Sequence, residues 1–430
     1  MSVNCRRKDT HRHRAHGALR LAFGVSVLAA VSASVVGCGE TAVEPQPPVA
    51  VGDIAGLTVC VGSTDSVDLA GYFSDPDGDV LAYTATTSDT RVATASVSET
   101  AVAVSGVSHG TTDVTVTATD PDGLAATQAF AVTVRSADWG VLEILYDALD
   151  GDNWDNNTNW KTDAPLDQWD GVLTDADGHV VVLSLSGNSL AGEIPPELGD
   201  LSNLNRLDLA WNELTGEIPS EVGNLSNLVY LNLEHNSLTG EIPSELGSLS
   251  NLRSLDLYDN SLNGEIPSEL GNLSNLRYLW LDDNSLTGEI PPELADLANL
   301  EVLYIAGSSL SGEIPPELGD LSSLRYLRLS GNSLTGEIPP ELGELASLEG
   351  LHIDENALTG EIPPELGDLS NLVWLRLEQN SLTGEIPSDF LNLSSLYHFY
   401  WDDNYGLCAP NTNEFDDWLR GISWRGPRCD

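Results

Sequence analysis

Histidines and carboxylates are the side chains with which this chain could do chemistry, and their spacing does not assemble a reaction centre. Beyond the N-terminal segment the histidines are His109, His179, His235, His352 and His398. The last three fall in different copies of a repeated segment, too far apart to act on one substrate. The sequence contains no His-Glu-x-x-His, no Gly-x-Ser-x-Gly, no phosphate-cradling glycine loop and no cysteine pair at zinc spacing. Carboxylate pairs are frequent only because acid is frequent, so they say little about acid/base catalysis. We read the protein as a non-enzyme that needs no cofactor. One group of hard oxygen ligands offers calcium a candidate site: Asp75, Asp77 and Asp79 in Asp-Pro-Asp-Gly-Asp. The same letters write a Pro-Asp-Gly hairpin turn, and no glutamate stands where an EF-hand loop needs one.

What must position any functional side chain is a 24-residue pattern between Leu183 and Asn404. Its Leu-x-Leu-x-x-Asn core starts at Leu183/Leu185/Asn188 and Leu207/Leu209/Asn212, and runs through ten copies to Phe399/Trp401/Asn404. A fixed period of this length marks a solenoid, because one repeat cannot bury its own apolar edge and stacked neighbours can. Alternating Leu-x-Leu is a short strand with one face inward. The Asn turns the chain off the strand and can satisfy backbone groups of its own and the adjoining coil, where an unpaired buried polar group would cost about 1–3 kcal/mol. Ser308 is the break in that series, which marks the sixth coil as the weak one. The second half of each repeat, Gly-Glu-Ile-Pro-x-Glu-Leu-Gly in Gly240 to Gly247, has Pro and Gly where a regular helix would fail.

Nine copies of Gly-Glu-Ile-Pro, from Gly192–Pro195 to Gly384–Pro387, resemble the plant-type leucine-rich repeats of receptor-kinase ectodomains and secreted enzyme inhibitors. The resemblance covers about half the chain. It implies an α/β solenoid, a right-handed curved array with a parallel concave sheet that serves as a binding scaffold. No kinase motif accompanies it, so phosphorylation signalling is not carried over.

The 430 residues include 18 Lys and Arg against 66 Asp and Glu. Setting residues 1–37 aside leaves 12 basic and 65 acidic residues, a formal charge of −53, with Lys161 the remaining lysine. Such a surface repels nucleic acid and anionic lipid and keeps copies apart, so we expect a monomer. Residues 1–37 read as an export signal: Arg6, Arg7, Lys8, Arg12 and Arg14 precede an apolar run that ends Val-Val-Gly-Cys38. That ending resembles a bacterial lipobox, which implies lipidation of Cys38 and a lipid-anchored protein of the outer membrane or cell surface. An ordinary cleaved signal or an uncleaved anchor is the alternative. Cys408 and Cys429 after the last repeat can pair and staple the open end, or remain free thiols. Cys60 reads as a buried small apolar residue.

Residues 38–50 are a Pro-rich tether. Residues 51–135 alternate Val, Thr, Ala and Ser between Gly and Asp-Pro turns, which predicts an all-β sandwich. Its Asp-Pro-Asp-Gly turns resemble those of bacterial Ig-like and cadherin-like modules. Residues 136–182 form an N-terminal cap, with Trp139, Leu142, Leu145, Tyr146 and Leu149 at helical spacing and Trp154, Trp160 and Trp169 replacing the cysteines usual in plant-type caps. Residues 183–404 are the ten coils and residues 405–430 a C-terminal cap.

Most letters of a repeat are fixed by its core, so ligand information lies in the outward strand positions. These include Tyr230, Tyr258, Tyr278, Trp280, Asp282, Tyr304, Tyr326, Arg328, Trp374 and Arg376. Aromatics beside charges on one face are the composition of a recognition surface, and we expect the aromatics to form one contiguous strip that takes a protein or glycan ligand. The competing reading is an acidic envelope or adhesion protein with no single ligand.

Glu193, Glu217, Glu241, Glu265, Glu289, Glu313, Glu337, Glu361 and Glu385 recur once per coil and stack into a column off that face. Unit charges about 5 Å apart repel by roughly 0.8 kcal/mol in water, so the column opposes folding by about 6 kcal/mol before screening. Salt removes much of that. The midpoint of thermal unfolding should therefore rise between low salt and seawater-like salt; a midpoint indifferent to salt would contradict the reading.

Overall fold

The computed structural model describes residues 44–162 and 164–430. The export signal and Cys38 lie outside the described residues. The chain divides into two units, Met1–Ala137 and Asp138–Asp430.

The strands of the first unit follow from its period-2 alternation: β1 (Leu57–Cys60), β2 (Thr64–Asp68), β3 (Ala82–Thr87), β4 (Ala93–Ser98), β5 (Ala101–Gly106), β6 (Gly110–Thr119) and β7 (Ala125–Arg135). They build a four-stranded sheet ordered β1-β7-β6-β3 and a three-stranded sheet ordered β2-β5-β4. Strand β1 joins β7 in parallel and the other pairs are antiparallel. Val102 and Val104 from one sheet and Val114, Val116, Val132 and Val134 from the other share one core. In β1 the alternation buries Val59 and turns Cys60 outward on an edge strand. Cys60 is accordingly half-buried, which corrects its reading as a buried apolar residue.

The second unit opens with α1 (Asp138–Ala148). Its apolar face packs against a nest of tryptophans: Trp139 on Trp169, Trp154 on Trp160, and Trp160 on Trp169, with centroids 4.8–5.0 Å apart. Each of the three loop indoles donates to a backbone carbonyl, Trp154 to Leu149, Trp160 to Asp170 and Trp169 to Ala164. Aromatic area is thus buried with every N–H paired, the condition for an indole to fill a core. A hairpin of β8 (Val172–Thr174) and β9 (Val180–Ser184) follows, turned by Asp175, whose Oδ1 accepts from Asp177 and His179 N–H.

From β9 onward each coil adds one three-residue strand in parallel. These are β10 to β19 in order: Arg206–Asp208, Tyr230–Asn232, Ser254–Asp256, Tyr278–Trp280, Val302–Tyr304, Tyr326–Arg328, Gly350–His352, Trp374–Arg376, His398–Tyr400 and Ser423–Arg425. Among the described residues the whole sheet has 12 strands, and Leu183, Leu207, Leu231 and their successors to Phe399 and Trp424 stand in one register. Behind each strand the Pro-x-Glu-Leu-Gly segment closes a single 3-10 turn, whose Leu returns to the common core. After the last coil Cys408 and Cys429 are bonded around α2 (Asn413–Leu419), whose Phe415 and Leu419 are buried, while Trp424 stacks on Trp401 at 5.4 Å.

Asparagines hold the coils in register. The Oδ1 of Asn212 accepts from Asn188 and Leu190 N–H of the preceding coil at 3.0 Å, and its Nδ2 donates to Leu185 and Leu209 carbonyls. The bond back to the previous coil's strand recurs at Asn236, Asn260, Asn284, Asn332, Asn356, Asn380 and Asn404. At Ser308 the hydroxyl is buried and unpartnered, so this coil lacks the amide tie to its neighbour. Restoring it with Ser308→Asn should stabilise the solenoid by about 1–2 kcal/mol in denaturant unfolding, whereas Asn380→Ala should destabilise it by at least as much; an unchanged Ser308→Asn midpoint would show that the ladder is not limiting there.

Candidate functional site

Alternation within each strand sends two side chains outward, and two more follow before the Asn. Coil by coil these make four columns on the sheet's outer face. The first holds Arg206, Tyr230, Ser254, Tyr278, Val302, Tyr326, Gly350, Trp374 and His398, and the second runs Asp208, Asn232, Asp256, Trp280, Tyr304, Arg328, His352, Arg376 and Tyr400. The fourth position takes a left-handed backbone. Glycine occupies it at Gly187, Gly307 and Gly331, but Trp211, His235, Asp259, Asp283, Glu355, Gln379 and Asp403 hold φ of 50–56° there. A side chain in that conformation costs about 1–2 kcal/mol.

The aromatics do not form one strip. Ser254 and Gly350 interrupt the first column, and the rings gather in three patches. In the first coils the Arg206 guanidinium lies 3.7 Å from the Tyr230 ring centroid and bonds Asp208 at 2.7 Å. Beside it the Trp211 and His235 rings are 3.5 Å apart, and His235 meets Tyr258 at 4.8 Å. In the middle coils Tyr278 and Trp280 stack at 5.4 Å and 8°, and Arg328 stands 6.0 Å from the Tyr304 ring. Tyr326 is tied sideways, its hydroxyl donating to Glu349 at 2.6 Å. In the last coils Trp374, 41% exposed, stacks on His398 at 3.8 Å, and Arg376 bridges Asp354 and Glu378.

Between the rings lie carboxylates that sequence reasoning places outward but cannot show to be buried. Asp256 is 9% and Asp282 3% exposed. Asp256 accepts from Tyr258 N–H at 3.1 Å; burial, and then the charge of the nearby Glu234, push its acid up to about 7. Asp282 accepts from Ala306 N–H and is pushed up to about 6 by burial, with Arg328 pulling the other way. Tyr304 is likewise raised by burial. Asp256 and Asp282 make no ion pair among the described residues, and they are enclosed by Tyr258, Trp280 and Tyr304. His352 is held neutral, its acid form lowered to about 4 by burial. The signal that could have shown this depth is adjacency, since Asp256 and Asp282 have bulky rings as column neighbours.

In the first unit Asp75 Oδ1 accepts from Asp77 and Asp79 N–H, and Asp77 Oδ2 from Gln46 N–H. These carboxylates brace a turn, and among the described residues no group of three or more metal-ligating side chains converges.

Fold and face together define a parallel-sheet solenoid that presents columns of variable side chains on fixed coils. A leucine-rich-repeat region model matches residues 179–282 and 292–403, and a leucine-rich-repeat model matches residues 275–297; the chain belongs to the leucine-rich-repeat family. Among solved structures it is similar to the ectodomain of the Arabidopsis thaliana receptor kinase GASSHO1/SCHENGEN3 in complex with CASPARIAN STRIP INTEGRITY FACTOR 2, at 44% identity over 61% of this chain and 32% of that one, TM-score 0.59. It is similar to the Arabidopsis receptor kinase HAESA, solved with the peptide hormone IDA and the co-receptor SERK1, at 32% identity over 67% of this chain and 53% of that one, TM-score 0.55. A plant ice-binding protein aligns at 30% identity over 68% of this chain and 97% of its own, TM-score 0.57. The chain thus spans about a third of the receptor ectodomain named first. No curated protein matches it. Among the described residues no helix is long and apolar enough to cross a membrane.

The raised carboxyls carry a sign. A folded-state pKa above the unfolded one means stability that is full below about pH 4 and is lost as pH rises through 6 and 7. Asp256→Asn with Asp282→Asn keeps both backbone acceptors and removes both charges. That variant should be more stable than the parent at pH 8, by about 2–4 kcal/mol, with the difference closing near pH 4. Equal stability at pH 8 would show that the two carboxyls are not buried as described.

Proposed function

We propose that this protein is a recognition module whose sheet face binds a basic segment of a partner protein or peptide. The observation that carries the reading is the pair Asp256 and Asp282: buried carboxylates, in no ion pair among the described residues, beside aromatic rings on the outward face of the middle coils. A positive side chain brought to that place gains the charge interaction and a ring to lie against, which is favourable where water is excluded. The similar receptor ectodomains support the reading, since GASSHO1/SCHENGEN3 and HAESA are each seen with a protein or peptide bound. The remaining parts fit a tethered display. A lipid on Cys38 would anchor the chain to a bacterial surface and residues 38–50 would lift it. The two-sheet unit, whose first strand joins its last in parallel, fits an Ig-like or cadherin-like spacer.

A second reading rests on another regularity and on the plant ice-binding protein that aligns over nearly its full length. Thr215, Thr239, Thr287, Thr335, Thr359 and Thr383 are exposed at one repeat position, each hydroxyl donating to a glycine carbonyl of the coil before. Regularly spaced hydroxyls suit an ordered water surface, but the adjoining glutamate column does not. Inhibition of ice recrystallisation by the purified chain would support this reading, and its absence at micromolar protein would remove it.

For the first reading, the full chain is tested in a pull-down against surface and secreted proteins and against short arginine-containing peptides. Trp280→Ala and Tyr304→Ala should each weaken capture at least tenfold with unchanged thermal unfolding, and capture should weaken as pH falls from 8 to 5, as Asp256 and Asp282 take up protons. Capture unaffected by both substitutions would end the proposal and favour an acidic envelope role without a specific ligand.

A further inference from the structure

The sheet ends on a strand with an open side. Strand β19 is joined to β18 in parallel on one edge and, among the described residues, to no strand on the other. Ser423 N–H donates to the Tyr397 carbonyl and the Arg425 carbonyl accepts from Trp401 N–H, so both residues face β18. In a parallel ladder the residue between them, Trp424, turns its N–H and C=O to the outer edge. All three residues are exposed. An uncovered edge is a template for another strand, and a charge on it selects among strands: Arg425 excludes a basic one and admits an acidic one.

The two sides of β19 offer different contacts. In register with Phe399, Trp424 stacks on Trp401 at 5.4 Å and remains 38% exposed. It lines a cavity of about 270 Å³ together with Asp416, Leu419, Arg420 and Arg428. Both guanidiniums there are engaged, Arg428 with Asp416 at 2.6 Å and Arg420 with Asp417, so what the cavity offers a guest is the Trp424 ring and Leu419. In register with Tyr400, Arg425 lies 4.5 Å from that ring's centroid. Two strands earlier Arg376 bridges Asp354 and Glu378, but the residue two after Arg425 is Pro427 and Asp402 makes no ion pair with it. Arg425 is in no ion pair among the described residues, and the other acids of the cap, Glu414 and Asp430, are exposed and in none. Residues 420–428 hold three arginines and no acid, in a chain with 66 acidic residues.

We propose that β19 is a docking edge for an extended segment of a partner protein, added as one more parallel strand, whose apolar residue enters the cavity beside Trp424 and whose next residue, an Asp or Glu, pairs with Arg425. Strand alternation sets that order: residues in register share a face, so the guest residue opposite Trp424 points to the cavity side and the one after it to Arg425. Backbone bonds to Trp424 hold the segment and the two side-chain contacts select it. A carboxylate on a guanidinium makes a charge-assisted bond, and at physiological salt the acids of the body beyond about 8 Å are largely screened. The edge is separate from the middle-coil face and takes a segment of opposite charge. A second copy of this strongly acidic chain is not the occupant, because like charge keeps copies apart.

Fluorescence anisotropy of short labelled peptides with the full chain, at physiological salt, tests this with a Thr/Ser host carrying a central Leu-Asp. That peptide should bind about tenfold more tightly than its Leu-Asn and Ser-Asp counterparts, and than a version N-methylated at the Asp amide, which cannot donate to the Trp424 carbonyl. Arg425→Gln, a change at an exposed side chain, should abolish the preference for Leu-Asp over Leu-Asn and leave Leu-Asn binding and the unfolding midpoint unchanged. Asp282→Asn should alter none of these values, so the edge and the middle-coil reading fail separately. No binding of the Leu-Asp peptide, or a preference for it that survives Arg425→Gln, would overturn the proposal. So would sedimentation that shows a dimer dissociated by Arg425→Gln, since the edge would then hold a second copy.

Discussion

An asparagine amide that satisfies its neighbour's backbone is the constraint on which this structure depends. A strand of three residues has too few hydrogen bonds to fix its own register, and a coil of 24 residues buries its leucines only if the next coil lies directly on it. The Oδ1 and Nδ2 of Asn212, Asn236 and their equivalents serve both coils at once, so a slip of one residue would leave a buried amide and two or three buried backbone groups unpaired. That penalty recurs at every step but the one at Ser308, which is why the leucines from Leu183 to Phe399 keep one register. The coil at Ser308 shows the converse. There strand pairing and the leucine stack carry the register to the preceding coil without the amide tie, with a hydroxyl left over.

Fixed register turns sequence position into spatial position, and the face can then hold arrangements that a less constrained surface would relax. Asp256, Asp282 and Glu378 are buried acids without full compensation, and seven coils keep a side chain on a left-handed backbone where glycine would be unstrained. Both features cost stability. In a molecule already burdened by columns of glutamate they persist only because the core and the ladder exceed them. Ion pairs elsewhere on the same sheet are complete, as at Arg206 with Asp208 and Arg325 with Glu349, so the incomplete ones are not a general consequence of an acidic composition.

The solenoid was legible because its rules are local and repeated: Leu-x-Leu for the strand, Asn for the turn, Pro and Gly for the return. The helix over Asp138–Ala148 followed from spacing in the same way. Depth on the face was not legible. Alternation says that Asp256 and Asp282 point outward, but whether an outward carboxylate meets water depends on the side chains one coil away, 24 residues distant in sequence. The single aromatic strip failed for the same reason, since Ser254 and Gly350 lie between tyrosines that sequence spacing alone places together. Cys60 follows strand alternation, not composition: with Val59 inward, its neighbour must face out.

The central claim is that the face holds buried carboxyls waiting for a positive charge. It is tested most directly by following the side-chain carboxyl carbons of Asp256 and Asp282 by NMR through a pH titration, with and without an arginine-containing peptide. The account predicts midpoints near 7 and 6 in the free protein that fall when peptide binds. Midpoints in the ordinary aspartate range in the free protein, or no movement on binding, would contradict it.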